Sequence, residues 1–555
     1  MRRRTFIRGA ALLAGSSLVS RLLGGLIRIP LARLLGGEGV GVLTTAYVLF
    51  GLAITFAVSG LCVATSRVVA ERLAREDRRG ADRALAASLL IALASGLGFW
   101  AVLDRGAVFA AGLILGRSEP TLVSMMSGTV RAIAPAVLPV SLMSALKGYF
   151  QGRQDMTPTS QAQVVEQVVR VSAMLWLVMS LRDQGLGPAL AGAAFGNVIG
   201  ATAALGLLIF TLARSSRGTS GGPAGGYRVR SGGPAERRRE GPSVKLDFPP
   251  ASPARRILGL AVPVAAGAAV LPLMDAMQTF IVPRRLAAAG LDPGTVVYLY
   301  GQLHFMAYPL ASLPAIAATA MAAALVPAVT DALERGRLAE VRRGATTAVR
   351  LTILFSLPAA AGLAVLAGPI CQMLYGIPEA GGPLTWVAAA CLFISLQQTT
   401  SGVLQGLGLA ATPAWGLAAG LAVDTAVTYL LTGVRSLGVN GAALGIVAGF
   451  GLAAAVNMAA IAARTGLTLD PAGMVVRPSL AAAAMIGASV GVYSWAAGTG
   501  AGNTVATLGA VAAGAVVYAL ALLAVGGVDR RELELIPRVG PRLSAILGPR
   551  TGRGR

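Results

Sequence analysis

GYFQGRQDMTPTSQAQVVEQVVRV, residues 148–171, has a fainter second copy in GVLQGLGLAATP, residues 402–413. Gly148, Gln151 and Gly152 fall on Gly402, Gln405 and Gly406 at one constant offset, and Thr157-Pro158 meets Thr412-Pro413 after a one-residue slip. Further out, Ile29-Pro30 precedes Val282-Pro283 by 253 residues, and the ladder Gly192, Gly196, Gly200 precedes Gly441, Gly445, Gly449 by 249. Three near-equal offsets in one order describe a duplicated unit of about 215 residues, far longer than a solenoid repeat. The chain reads as two related halves plus a C-terminal extension, and function is expected between the halves.

Composition sets the class. The chain is 55% hydrophobic and only 13% charged, carries 71 glycines, and has a mean hydropathy of +0.70. A soluble surface needs far more charge, whereas glycine and alanine let membrane helices approach closely. These features predict an all-α polytopic membrane protein.

Apolar runs long enough to cross about 30 Å of hydrocarbon occur near 8–32, 43–70, 84–103, 122–147, 162–181 and 188–213. A second set lies near 257–283, 297–330, 347–367, 384–404, 413–433 and 441–463, and two more near 478–497 and 503–527. The expectation is about 14 transmembrane helices. Residues 1–214 and 255–466 form two six-helix lobes, separated by a basic Gly/Ser/Pro-rich linker at 215–254. Two additional helices (467–528) and a basic tail (529–555) complete the chain. An even number of spans per half gives the halves one orientation, so they are parallel and related by a pseudo-two-fold axis along the membrane normal.

Arginine and lysine fix the sidedness. Of the 47, the N-terminus, the even-numbered loops and the tail hold 34, the opposite loops hold seven, and six lie within spans. The positive-inside rule then puts both termini and the linker in the cytoplasm of a multi-pass cell-membrane protein. The net charge of +23 is thereby explained as topology, with affinity for anionic membrane lipids. No basic face is interleaved with aromatics, so nucleic acid is not an expected partner. Arg2-Arg3-Arg4 before an apolar run imitates a twin-arginine export signal, but the run contains Arg21, Arg28 and the duplicated Ile29-Pro30, which favours a first span.

Three scattered cysteines and a single histidine leave no cluster able to bind a metal, and no cofactor is expected. Ionisable groups inside spans carry the signal, since each costs on the order of 3 kcal/mol at mid-membrane unless it meets partners or water. Arg21 and Arg28 are two helical turns apart and share a face. Gly24 and Gly25 between them and Pro30 after them predict a bend or break near Arg28. Two forked donors there suit a phosphate or pyrophosphate, the alternative being that Arg21 snorkels or pairs with an acid. Glu166 and Arg170 stand in the favourable i,i+4 order and serve either as a self-neutralising structural pair or at the mouth of a cavity. Arg131, before Pro135 and Pro139, is a candidate cavity wall, and His304, after Tyr298, Tyr300 and Gln302, a candidate cavity residue. Asp275 and Asp424 are candidates for a proton or sodium site, or for pairing with arginine. Gly24, Gly25, Pro30 and Pro283 are the hinge candidates.

RIPLARLLGGEGVG (28–41), SGLCVATSRVVAERLAREDRRG (59–80), residues 131–171 and GVLQGLG (402–408) resemble the stage V sporulation protein B family of polysaccharide-biosynthesis transporters. These are similar to the MurJ-like lipid II flippases within the multidrug/oligosaccharidyl-lipid/polysaccharide exporter superfamily. The chain departs from the pattern in its long basic linker and in GLCVATS (60–66), where a proline-bearing GLPTAIS-like sequence is usual.

The resemblance implies two lobes around a cavity open alternately to either side. It also implies a lipid-linked oligosaccharide or lipid II as substrate, coupling by Na+, H+ or the membrane potential, and cell-wall synthases as candidate partners. A monomer is favoured, since both halves lie in one chain. A cation-coupled multidrug antiporter of the same superfamily is the alternative, and would favour acidic and aromatic cavity groups. A polytopic membrane enzyme ranks third, because the non-cytoplasmic loops carry only isolated carboxylates.

Overall fold

A computed structural model describes residues 15–17, 19–116, 119–217, 252–467, 470 and 472–527. The expected linker (215–254) and tail (529–555), and the arginines at 2–8, lie almost wholly outside the described residues. Those described are helical, and 11 helices are long and apolar enough to cross a membrane, or up to 13 when each of two bent pairs is one span. The protein is an all-α polytopic membrane protein.

Helix α1 runs Gly15–Ala74, 60 residues. Straight, it would measure about 90 Å, three times the hydrocarbon thickness, so it holds two spans. They meet at Gly36, whose φ of 69° and ψ of 178° leave the helix in a region that only glycine enters without strain. Counting these two separately makes the helices consistent with fourteen. The break expected near Arg28 lies two turns further on: Ile27 keeps helical angles of −62° and −26°.

After α1 come α2 (Arg78–Leu115), α3 (Pro120–Ile133), α4 (Val137–Gly152), α5 (Thr157–Leu181) and α6 (Leu186–Arg217). A 3-10 turn at Ala134–Ala136, where Pro135 supplies no N–H, joins α3 to α4. Asp77 caps α2 by accepting from the Gly80 amide at 2.7 Å. Helices α7 (Pro253–Ala268) and α8 (Val270–Ala288) are bent by 49° at Ala269. The ring of Pro272 has no N–H for the Ala268 carbonyl and crowds it, which accounts for the bend; Pro283 lies inside α8, away from it.

Next are α9 (Pro293–Gly301), a π-helical turn at Gln302–Ala307, α10 (Tyr308–Ser312), α11 (Ala315–Glu334), α12 (Leu338–Val365), α13 (Ala367–Tyr375), α14 (Gly381–Val387) and α15 (Ala390–Gly406). The chain closes with α16 (Ala411–Thr432), α17 (Val439–Thr465), α18 (Arg477–Gly498) and α19 (Asn503–Ala524).

The chain divides into two compact units, one of residues 1–35 and 45–276, the other of 36–44 and 277–555. In each, glycines of the spaced sets press on a facing helix. In the first, Gly148 and Gly152 of α4 press on Cys62, Ser66 and Val69 of α1, and Gly196 and Gly200 of α6 press on Met174 and Arg170 of α5. In the second, Gly402 and Gly406 of α15 press on Ala322, Val326 and Val329 of α11, and Gly445 of α17 presses on Thr428 and Asp424 of α16. A Cβ at any of these glycines would lie within 3 Å of the facing helix, so the backbones touch in the manner of small-residue membrane interfaces.

The core of the first unit is apolar, with Leu61, Met143, Leu146, Phe150, Leu208 and Ile257 fully or almost fully buried. In the second, polar side chains fasten the ends of α19 to α12, α13 and α18. Arg350 donates to the Gly527 carbonyl at 3.0 Å, Arg477 to that of Gly526 at 2.9 Å, and Asn503 to that of Pro369 at 3.0 Å. Arginines at the C-terminal end of α19 satisfy carbonyls that have no helical partner and suit the helix dipole.

Candidate functional site

The first unit gathers polar side chains from α1, α4, α5, α6 and α8. Arg28 sits half-buried on α1, and its charge acts on the Asp275 carboxylate of α8. Tyr47, also of α1, is partly buried and within electrostatic reach of both Arg170 and Arg28. That phenol accepts from Asn197 Nδ2 at 3.1 Å. Arg170 donates to the Gln167 side-chain oxygen, while the Gln167 Nε2, fully buried, has no partner. Glu166 pairs with Lys147 of α4 at 3.5 Å. The i,i+4 arrangement read from the sequence is therefore not the pair that forms: α4 supplies the cation for Glu166, and Arg170 turns to the next residue, Gln167. Three cations thus stand on the helices of this unit with two carboxylates, and one buried amide nitrogen, Gln167 Nε2, has no partner.

The second unit holds a different network. Asp424 of α16 is wholly buried, and its Oδ1 accepts from Gln278 Nε2 of α8 at 2.6 Å and from the Thr428 hydroxyl at 3.3 Å. One helix face along, Thr279 and Tyr300 share a 2.6 Å hydrogen bond, and the Tyr300 ring lies 4.6 Å from that of buried His304. His304 lies on the π-helical turn, an irregularity common at functional sites. The two networks differ in charge: Arg170 lies under Gly200 of α6 in the first unit, and Asp424 under Gly445 of α17 in the second.

A family model described as polysaccharide biosynthesis protein matches residues 6–333, more than half of the chain. The chain belongs to the polysaccharide biosynthesis protein family. It is 29% identical to stage V sporulation protein B of Bacillus subtilis (strain 168) over 540 residues, covering 97% of this chain and 99% of that protein. It is 25% identical to the lipid II flippase MurJ of the same organism over 417 residues, 72% of each chain. Among solved structures, an inward-facing multidrug resistance MATE family transporter of the MOP superfamily aligns with a TM-score of 0.64 at 18% identity, covering 80% of this chain and 94% of that one. A MOP superfamily transporter from Pyrococcus furiosus aligns with a TM-score of 0.56 at 17% identity, covering 83% and 95%. Those two likenesses are of fold.

In this member of the polysaccharide biosynthesis protein family the expected site residues separate into three places. Arg28, Glu166, Arg170 and Asp275 come together in the first unit, whereas Asp424 and His304 belong to the second. Arg131 is exposed and donates to the Asp104 carbonyl at 3.4 Å. It stands 16 residues, roughly 24 Å of helix rise, from Lys147. Arg21 is exposed although it shares the helical register of Arg28. Of the hinge candidates, Gly24 faces the Gln167 amide closely enough that a Cβ would touch its Nε2 at 3.4 Å, and Gly25 has open space; Pro30 and Pro283 lie within helices. Sequence reasoning missed Lys147, at the end of an apolar run, and the uncharged Tyr47, Gln167, Asn197 and Gln278. Their signal was an amide or phenol inside an apolar run, weaker than a formal charge.

Proposed function

We propose that the chain is an alternating-access flippase, not an enzyme. It moves a lipid-linked, pyrophosphate-bearing glycan precursor such as lipid II across the cytoplasmic membrane, for cell-wall, spore-cortex or polysaccharide synthesis. The observation that carries this reading is that three cations of the first unit, Arg28, Arg170 and Lys147, lie on its membrane helices, Lys147 paired with Glu166 at 3.5 Å and Arg170 with Gln167, whose buried Nε2 has no partner. A diphosphate takes two forked guanidinium contacts better than any neutral or cationic cargo, and a polar head group crosses only if such a site replaces its water. Asp275 holds the Arg28 charge while no substrate is bound. The relative named as a lipid II flippase supports this choice of substrate.

Both termini face the cytoplasm in this reading, the two halves are parallel lobes, and Asp424 with Gln278 binds the cation that resets the cycle. A cation-coupled multidrug antiporter is the second reading, favoured by the buried Asp424 and by the fold likeness to a MATE transporter.

The test is a proteoliposome assay in which lipid II is loaded on one leaflet and its arrival on the other is followed. Arrival that depends on the protein supports the flippase. Absence of movement for lipid II and for a simpler polyprenyl-diphosphate sugar, with sodium- or proton-driven efflux of a cationic dye, would overturn it in favour of the antiporter.

A further inference from the structure

A second basic site lies in the second unit, at the end of the bundle opposite the arginine-rich loops. Only seven of the 47 basic residues belong to that side by the loop count, and three of them, Arg284, Arg285 and Arg435, come from just two helix ends. Arg285, in the last turn of α8, lays its guanidinium over the Tyr429 ring of α16 at 4.4 Å and packs against Gly433, where any Cβ would collide with it. Arg435, just beyond α16, reaches back and donates from Nε to the Ala289 carbonyl at 3.0 Å, with a terminal nitrogen beside Gly290. Each side chain thus crosses to the other helix end, and glycine at both landing points leaves room for the planar group.

Capping explains only part of this. The Arg435 Nε satisfies one carbonyl, and both arginines suit helix C-termini. The Nε of Arg285, however, is buried without a hydrogen-bond partner. No carboxylate of the described residues pairs with either arginine. A guanidinium with one face covered by an aromatic ring and its donor edge unspent is preorganised for an oxyanion, and a buried unpaired donor calls for a partner that is not protein.

We propose that Arg285 and Arg435 form a phosphoryl-binding site on this face, distinct from the Arg28 cluster. The ligand is a phosphate ester or diphosphate, which takes two forked donors at once. Its physiological source is either the diphosphate of a lipid-linked glycan or the head group of an anionic phospholipid. In the first case the inference rests on the flippase reading, and the site receives the substrate's charged group on the side where it is released.

The test uses full-length protein in phosphatidylcholine nanodiscs, in an Arg28→Gln/Arg170→Gln/Asp275→Asn background that takes both guanidinium groups out of the central anion site. Inorganic pyrophosphate is titrated by calorimetry, and discs doped with phosphatidylglycerol are examined by native mass spectrometry for retained lipid. Saturable pyrophosphate binding, weakened at least tenfold by Arg285→Gln/Arg435→Gln and weakened less by the paired lysine variants, supports the site. Phosphatidylglycerol retained by the background protein, lost in the glutamine variants and competing with pyrophosphate identifies the phospholipid source; pyrophosphate binding without retained lipid identifies the diphosphate. Thermal unfolding of each variant separates loss of ligand from loss of fold, and Arg182→Gln, exposed on the same side, is the control. Absence of binding of either probe, or equal binding with and without the two arginines, overturns the proposal. Because no lipid II is present, this outcome is independent of whether lipid II moves in the proteoliposome assay.

Discussion

Arg28 and Asp275 allow substrate binding to be separated from structural support. The charge of Arg28 acts on a carboxylate that α8 carries into an apolar bundle. Replacing Arg28 by Gln leaves Asp275 without its countercharge, and an uncompensated carboxylate at mid-membrane costs about 2.5–3.5 kcal/mol. That corresponds to roughly a hundredfold in the folding equilibrium. Arg28→Gln should therefore lower thermal stability clearly below that of Arg67→Gln, whose side chain is 66% exposed and whose ion pair is worth under about 1 kcal/mol. Adding Asp275→Asn removes the stranded charge, so the double variant should regain most of the lost stability. It should remain inactive in lipid II translocation, since the guanidinium is still missing. Thermal unfolding in detergent read beside the proteoliposome assay separates the two effects. If Arg28→Gln is as stable as Arg67→Gln, Arg28 does not neutralise Asp275; if the stable double variant translocates at the wild-type rate, Arg28 is not the anion site.

Asp424→Leu removes the acceptor of the Thr428 hydroxyl and one of the two acceptors of Gln278 Nε2, which still reaches Thr428 Oγ1 at 2.9 Å, and should cost about 1–3 kcal/mol by thermal unfolding. Asp424→Asn should be milder in stability and should abolish the sodium or proton dependence of transport, measured by exchanging the gradient across the proteoliposome. Gly60→Val should destabilise by about 1–3 kcal/mol, because even a Cβ would lie 2.5 Å from the Ala261 carbonyl carbon and 2.7 Å from its Cα; Gly98→Val, with nothing within 4 Å, should be near neutral in the same melt. Hydrogen bonds from Thr295 hold the Asp292 carboxyl below its usual range. A lowered folded-state value means its support of the α9 start is complete above the ordinary carboxylate pKa of about 3.9 and fades as pH falls further, which amide exchange at Val296 and Val297 should register.

Composition alone determined that this is a helical membrane protein, because 55% hydrophobic residues with 13% charge have no soluble solution. The glycine spacings point to two related halves, since a glycine under a backbone contact is a requirement of packing that survives in the letters: Gly148 and Gly402, Gly196 and Gly445 each press on a facing helix. Formal charge made Arg28, Arg170, Asp275 and Asp424 legible, because in hydrocarbon each must find a partner.

Which partner each finds was decided only by tertiary structure. Helical spacing joined Glu166 to Arg170, yet the nearer cation comes from Lys147 on another helix, 19 residues away in sequence. Register put Arg21 with Arg28, but only Arg28 turns to Asp275, a residue of α8. Proline and glycine suggested a break near Arg28; the chain broke at Gly36 instead, where a positive φ was required. Periodicity gives the face of a helix, whereas the neighbour on that face is set by how the helices assemble. The amides and phenols that complete both networks gain their significance only through that neighbour.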